Sequence, residues 1–206
     1  MTALMSEAKR DALQEVVNIG MGTAGAALAQ VLGAFVELAV PRIELVDRRR
    51  AATLFATGAW ADREVEAVRQ TFFGGIIGES LMLFDGAEPA HLADLAGHTS
   101  PPSREEQQEL LLDLANVVIG ACVNGIAEPL EEVVSFAAPL HLGARTDSSS
   151  FVLENAGAWR EALVISVDFK QEERRFRSGV MVFLSESSLQ RIDEALTRFL
   201  DALAAS

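Results

Sequence analysis

The 206-residue chain contains a single cysteine and few basic residues, 17 lysines and arginines against 30 aspartates and glutamates. One thiol cannot form a disulfide within the chain, which fits a reducing compartment, and the apolar neighbours of Cys122 predict a small buried residue. The net charge of −13 disfavours nucleic-acid binding, because that function needs clustered cations. The basic cluster from Arg48 to Arg50 is expected to be a solvated loop.

Long apolar segments without polar residues are also absent from the sequence. The stretch from Met1 to Arg10 lacks the apolar core of a signal peptide. The longest uncharged run, Val16 to Val36, is interrupted by polar residues and glycines, which argues against a membrane helix. We therefore expect a soluble cytoplasmic protein without membrane insertion.

Histidine is rare, and its three copies, His91, His98 and His141, show no metal-ligand spacing. No combination of serine, histidine and aspartate suggests a nucleophilic triad. The sequence therefore gives no support for a metal centre or a serine-type catalytic site.

Asparagine is scarce as well, yet two of the four asparagines have the same surroundings. The pattern Asp11-x3-Glu15-x2-Asn18-x22-Pro41 returns 98 residues later as Glu109-x3-Asp113-x2-Asn116-x22-Pro139. The repeat extends further, since Ser80–Phe84 matches Gly179–Phe183 at an offset of 99. Two copies of about 100 residues indicate an internal duplication, and they are too few and too long for a solenoid. We predict one domain, residues 1–206, built from repeats at about 6–98 and 104–206.

The first copy is predicted to contain a helix, three strands and a shorter helix. Apolar periodicity indicates a helix over residues 6–32, which we expect to be broken or bent into two pieces by the glycines from Gly20 to Gly25. A strand over 35–45 contains Pro41, so it is expected to lie at a sheet edge or to be interrupted there. Strands over 63–73 and 79–84 and a short helix over 89–97 complete this copy.

The second copy repeats this order. A helix over 104–127 is expected to begin with a capping box formed by Ser103 and Glu106. Strands are predicted over 133–142, which contains Pro139, over 163–169 and over 179–184, and a helix follows over 187–205. The fold class is therefore α+β, a pseudo-twofold repeat with a largely antiparallel sheet and helices packed on one face.

The repeated motif places Asp11, Glu15 and Asn18 on one face of a helix, because their spacing is i, i+4 and i+7. A carboxylate can form a salt bridge with a cation on a partner, and a carboxamide can both donate and accept, so it can hold a water. A solvated helix face is the alternative for either copy alone, but asparagine is a weak helix former and stands in both. Such a site suits phosphoryl hydrolysis, which needs mainly positioning and electrostatics because its transition state is loose.

The motif resembles the signature of the CheC/CheX/FliY phosphatases of bacterial chemotaxis, which dephosphorylate the response regulator CheY. That signature is an acid or serine, x3, Glu, x2, Asn, x22, Pro. Asp11, Glu15, Asn18 and Pro41 satisfy it completely. The resemblance covers nearly the whole chain, and two active helices in 206 residues are most like CheC.

The resemblance implies a role for each motif residue of the first copy. Glu15 would bind the phosphorylation-site lysine of CheY, and Asn18 would orient the attacking water in line with the phospho-aspartate. Asp11 would support the helix or contact the partner, and Pro41 would shape the strand beneath the active helix. The divalent metal would belong to the response regulator, so the phosphatase would need no cofactor of its own.

The second copy departs from the signature, and its site is expected to be partial or weakened. Asp113 stands where the signature has glutamate, which shortens the reach by one methylene, and Glu109 takes the first position. Asn116 and Pro139 are intact. Because a misplacement of ~1 Å can cost about 100-fold in rate, we rank the first site above the second.

Two alternatives belong to other functional classes. One is a non-catalytic adaptor that binds a response regulator or CheD, the receptor deamidase that partners CheC in the family; the intact pair of Glu15 and Asn18 favours the enzyme. The other is a dinucleotide-binding site, because Gly20-Met-Gly-Thr-Ala-Gly25 spells G-x-G-x-x-G and Glu44 follows it. The missing alternation of strands and helices counts against that site.

Overall fold

The computed structural model describes residues 6–33, 35, 37–39, 42–47, 49–50, 53, 64–85, 103–145, 161–171 and 176–204. This part of the chain contains three long helices, α1 (Glu7–Leu32), α2 (Arg104–Ala127) and α3 (Glu186–Ala204), and a short 3-10 helix, Glu128–Leu130. Its strands are β1 (Glu37–Leu38), β2 (Arg42–Asp47), β3 (Val65–Gly74), β4 (Gly78–Asp85), β5 (Val134–Phe136), β6 (Leu140–Arg145), β7 (Glu161–Gln171) and β8 (Phe176–Leu184). The helix predicted over 89–97 lies outside the described residues.

These strands form one antiparallel sheet in the order β1/β2, β7, β8, β4, β3, β5/β6. The central ladder joins β4 of the first copy to β8 of the second, with Leu81 opposite Met181. Exchanging the two copies leaves the order unchanged, because β3 and β7 occupy equivalent places and two short strands lie at each edge. The α+β class with its pseudo-twofold repeat is confirmed.

Each edge of the sheet consists of two short strands separated near the repeated proline. In the second copy the interruption runs from Ala137 to Pro139. Proline has no N–H to donate to a ladder, so a strand that contains it is broken or placed at an edge. The Ala137 N–H still donates to the Thr71 carbonyl of β3 at 2.9 Å, which keeps this connection attached to the sheet. The equivalent interruption separates β1 from β2, where Pro41 itself lies outside the described residues.

Helix α1 is continuous over its 26 residues, so the predicted break at Gly20 to Gly25 is wrong. The predicted ends are confirmed, because Ser6 caps the N-terminus and Gly33 ends the helix in the left-handed region at φ 60°. The helix stays whole because Gly20 packs directly on Gly125 of α2. A Cβ on Gly20 would lie 2.9 Å from the Gly125 carbonyl carbon. Gly20 therefore allows two helices to approach closely, and the packing outweighs the low helix propensity of glycine.

A single apolar core lies between the three helices and one face of the sheet. Its fully buried members include Leu13, Val16 and Leu28 of α1, Leu114, Val118 and Ile119 of α2, Phe72 and Met82 of the sheet, and Ile192 and Leu196 of α3. Burying one such side chain contributes about 1.5–3 kcal/mol, so this core holds the motif helices in place.

Helix α2 begins with the predicted capping box. The Glu106 N–H donates to Ser103 Oγ, and the Ser103 N–H donates to the Glu106 carboxylate. By length and composition alone, α2 and the turn after it are apolar enough to cross a membrane. Half of that stretch is buried inside the molecule.

Candidate functional site

The first copy of the motif lies on an exposed face of α1. Asp11, Glu15 and Asn18 are all exposed, as the helical spacing predicts. Val16 and Val17 point the opposite way and are fully buried in the core. The helix is therefore anchored by one face and presents two carboxylates and a carboxamide on the other.

The Asn18 carboxamide has a hydrogen-bond partner on its own helix. Gln14, one turn earlier, donates from Nε2 to Asn18 Oδ1 at 3.2 Å, and this contact is exposed to solvent. Because the carbonyl oxygen accepts this bond, the Nδ2 amide of Asn18 is left to act as a donor toward a partner.

The second copy presents the same face on α2, with Glu109, Asp113 and Asn116 exposed. Here the carboxamide of Asn116 is held by a residue of the sheet. Gln70 of β3 donates from Nε2 to Asn116 Oδ1 at 2.7 Å, and Gln70 itself is 1 % exposed. Pro139 is half-buried and lies in the connection between β5 and β6. Gln70 Nε2 also donates to the Ala137 carbonyl of this connection, at 3.0 Å. In the described part of the chain, no cation pairs with either Glu15 or Asp113, so both carboxylates remain available to a partner.

An exposed apolar side chain follows each motif asparagine. Ile19 is 51 % exposed and Val117 is 37 % exposed, and the two are equivalent in the repeat. An apolar residue beside a polar site gains free energy when a partner covers it. Sequence reasoning missed this pair, although an apolar residue at the same place on both polar helix faces was a readable signal.

The two sites lie on opposite sides of the helix crossing. Gly20 contacts Gly125, whereas Met21, one residue further along α1, places its Sδ 3.7 Å from Cys122 Sγ, three residues back along α2. The helices are therefore antiparallel. Each motif asparagine precedes the crossing on its own helix, so the two sites lie toward opposite ends of the helix pair.

Two other candidate chemistries receive no support from the described residues. Cys122 is free and fully buried, and burial raises the pKa of its thiol, so it is no nucleophile at neutral pH. His141 Nε2 lies 2.7 Å from the Glu66 carboxylate, and the described part of the chain holds no group of three potential metal ligands. His91 and His98 lie outside that part.

The dinucleotide-binding alternative is wrong, because the segment from Gly20 to Gly25 lies in the middle of α1. A phosphate-binding glycine motif has to form a turn between a strand and a helix N-terminus. Backbone N–H groups inside a continuous helix are already bonded to carbonyl groups of the same helix.

Sequence reasoning also missed the two glutamines that hold the asparagines. Gln70 could have been noticed, because it stands at an inward position of an alternating strand, between Val68 and Phe72. Gln14 gave a weaker signal, since its place in the second copy is taken by Leu112.

The first motif falls in a segment that matches a known family. The model of the CheC-like family matches residues 9–45, which contain most of α1 and most of β2. A curated relative, the flagellar motor switch phosphatase FliY of Bacillus subtilis (strain 168), is 22 % identical over 140 residues. That match covers 66 % of this chain and 35 % of the relative, so the chain spans about a third of the relative's length.

Solved structures share the fold over nearly the whole chain. FliY of Thermotoga maritima superposes with a TM-score of 0.72 at 17 % identity, covering 95 % of this chain and 98 % of that one. A structure of the CheX–CheY–BeF3–Mg²⁺ complex from Borrelia burgdorferi matches with a TM-score of 0.55 at 14 % identity, covering 82 % and 97 %. The segment with the first motif is thus similar to the CheC-like family, and the fold of the chain is the one that the solved FliY and CheX structures share.

Proposed function

We propose that this protein accelerates hydrolysis of the aspartyl phosphate on a CheY-type response regulator. The observation that carries the proposal is an exposed pairing of a carboxylate with a carboxamide whose oxygen is already hydrogen-bonded, present on both motif helices. In the first copy these are Glu15 and Asn18, with Gln14 as the donor. In the second they are Asp113 and Asn116.

Each group has a distinct role in the proposed reaction. The carboxylate pairs with a cation beside the phosphorylated aspartate and so fixes the position of the regulator. The carboxamide then reaches the phosphoryl group and binds a water through its Nδ2 hydrogens and the second lone pair of Oδ1. The water oxygen forms a bond to phosphorus while the bond to the aspartate oxygen breaks. Inorganic phosphate leaves, the regulator recovers its carboxylate, and the water proton passes to phosphate or solvent.

The protein itself forms no covalent bond in this scheme. Positioning accounts for the acceleration, because the transition state of phosphoryl transfer is loose and a misplacement of ~1 Å can cost about 100-fold. We expect the divalent metal to lie on the regulator and to neutralise charge on the phosphoryl oxygens. Asp11 and Glu109 support the helix faces or contact the regulator, and Pro41 and Pro139 shape the edge strands beneath them. The reaction would take place in the cytoplasm, together with its regulator.

The two sites differ in the length of the acid, and we propose that the first binds the regulator more tightly. Glu15 extends one methylene further than Asp113. The exposed Ile19 adds an apolar contact beside the first site, and the smaller Val117 does so beside the second.

The test is the decay of a phosphorylated CheY-type regulator in the presence of purified protein. Wild type, Asn18→Ala, Asn116→Ala and the double variant are compared. We expect each single variant to keep part of the acceleration and the double variant to lose about 100-fold or more. Gln30→Ala on α1 and Gln108→Ala on α2 are matched controls, because both residues are exposed on the same helices outside the motif.

A negative result separates two cases. If no regulator decays faster although one binds, the protein is an adaptor rather than an enzyme. If a purified CheD binds instead of a regulator, the deamidase is the partner. A double variant that retains full acceleration would remove both asparagines from the mechanism.

A further inference from the structure

Gln70 is a polar residue at a position where the fold favours an apolar one. It lies on β3 between Val68 and Phe72, and these two neighbours are fully buried on the sheet face that packs against the helices. Gln70 itself is 1 % exposed. Moving a carboxamide into such a place costs free energy unless its hydrogen bonds are replaced.

The hydrogen bonds of Gln70 fix the direction of two carboxamides. Its Nε2 donates to the Ala137 carbonyl at 3.0 Å and to Asn116 Oδ1 at 2.7 Å. A backbone carbonyl can only accept, so the nitrogen of Gln70 has to face it. Both hydrogens are then in use, and Asn116 has to offer its oxygen. The Nδ2 amide of Asn116 is therefore turned away from the sheet.

A stabilising role alone does not explain this glutamine. Its Oε1 has no hydrogen-bond partner in the described part of the chain, and neither has Oγ of Ser80, its cross-strand neighbour on β4. The contact with Ala137 is not needed to hold that connection, because the Ala137 N–H already donates to the Thr71 carbonyl. An apolar side chain of similar volume would avoid the unpaired oxygen. What the glutamine adds is the orientation of Asn116.

We propose that Gln70 is a positioning residue of the second site, which holds Asn116 with its Nδ2 amide toward the bound regulator. The inference rests on the proposed phosphatase function and concerns its geometry. Asp168 of β7 is the repeat equivalent of Gln70, since it pairs with Gly179 of β8 as Gln70 pairs with Ser80 of β4. The first copy therefore has no amide at this position. A carboxylate at that register position cannot donate the bond that Gln70 donates.

The kinetic test isolates the second site by working in the Asn18→Ala background. Gln70→Met keeps the volume and removes the donor. We expect kcat for decay of the phosphorylated regulator to fall about tenfold with KM unchanged, because orientation is lost while the surface that binds the regulator is intact. We expect resistance to urea to be equal or higher. Ser178→Ala is the matched control, since it removes another buried, unpartnered polar atom and is expected to leave kcat unchanged.

A second measurement is independent of activity. The side-chain amide signals of Asn116, assigned in ¹⁵N–¹H NMR spectra by their loss in Asn116→Ala, should shift and exchange faster with water in Gln70→Met. Unchanged signals would overturn the proposal. The proposal would also be overturned if Gln70→Met still lowered kcat in the Asn116→Ala background, or if it raised KM without lowering kcat. If wild type does not accelerate decay at all, the phosphatase function fails, and the NMR comparison still decides whether Gln70 orients Asn116.

Discussion

The two motif copies present nearly the same helix face but hold their asparagines in different ways. In the first copy, Gln14 reaches Asn18 along the exposed helix surface at 3.2 Å. In the second, buried Gln70 reaches Asn116 from the sheet at 2.7 Å. The copy with the longer acid thus has the less firmly held carboxamide, and the copy with the shorter acid has the anchored one.

Within the proposed function, this difference assigns recognition of the regulator mainly to the first copy and orientation of the carboxamide mainly to the second. A longer carboxylate favours binding of the regulator and should appear in KM. An oriented carboxamide favours the chemical step and should appear in kcat, because it acts when the water attacks. The ranking of the sites therefore depends on regulator concentration: the first should dominate when the regulator is dilute and the second when it is saturating.

The largest effect should come from the helix crossing, which both sites share. In Gly125→Ala, the new Cβ would meet the backbone of Gly20, so α1 and α2 have to separate. We expect a loss of about 3 kcal/mol in the free energy of unfolding, measured by urea denaturation, because overpacked cores cannot relax fully. Phosphatase activity of both sites should fall together.

The matched control for this change is Gly120→Ala on the same helix. A Cβ there meets nothing within 4 Å. Because alanine favours helix over glycine by about 1 kcal/mol, this variant should be more stable than wild type. Equal stability of the two variants would show that the Gly20–Gly125 contact does not limit the approach of the helices.

An intermediate effect is expected from exchanging the acids. Asp113→Glu, measured in the Asn18→Ala background, should lower KM for the phosphorylated regulator about tenfold at unchanged kcat, because it restores the reach of the carboxylate. Glu15→Asp in the Asn116→Ala background should raise KM by a similar factor. If neither substitution changes KM, the acids do not contact the regulator and the division into recognition and orientation is wrong.

The sequence predicted what depends on local spacing. Helix α2 has the predicted bounds, Arg104–Ala127, since the capping box specifies its start and apolar periodicity its length. The exposed faces with Asn18 and Asn116 followed from the same periodicity. The predicted break in α1 was wrong because glycine propensity is local, whereas the contact that explains Gly20 comes from a residue more than 100 positions away.

The support of the second site needed information that no local pattern contains. The bond between Gln70 and Asn116 joins positions 46 residues apart and depends on the sheet register and on the packing of α2 against β3. Residues that face outward on one helix can be read from spacing, but the residues that orient them from another element cannot. The assignment of site residues, including Pro41, stays a prediction until the variants are measured.

The smallest effect is expected at the first site, where Gln14→Leu introduces the residue that the second copy has at Leu112. An exposed hydrogen bond contributes about 0.5–1 kcal/mol, because water competes for both partners, so kcat in the Asn116→Ala background should fall about two- to fivefold. Helix stability should not suffer, since leucine is a good helix former. The comparison with Gln70→Met in the opposite background is decisive: if the exposed glutamine matters as much as the buried one, burial does not improve the positioning of the carboxamide, and the two sites differ only in their acids.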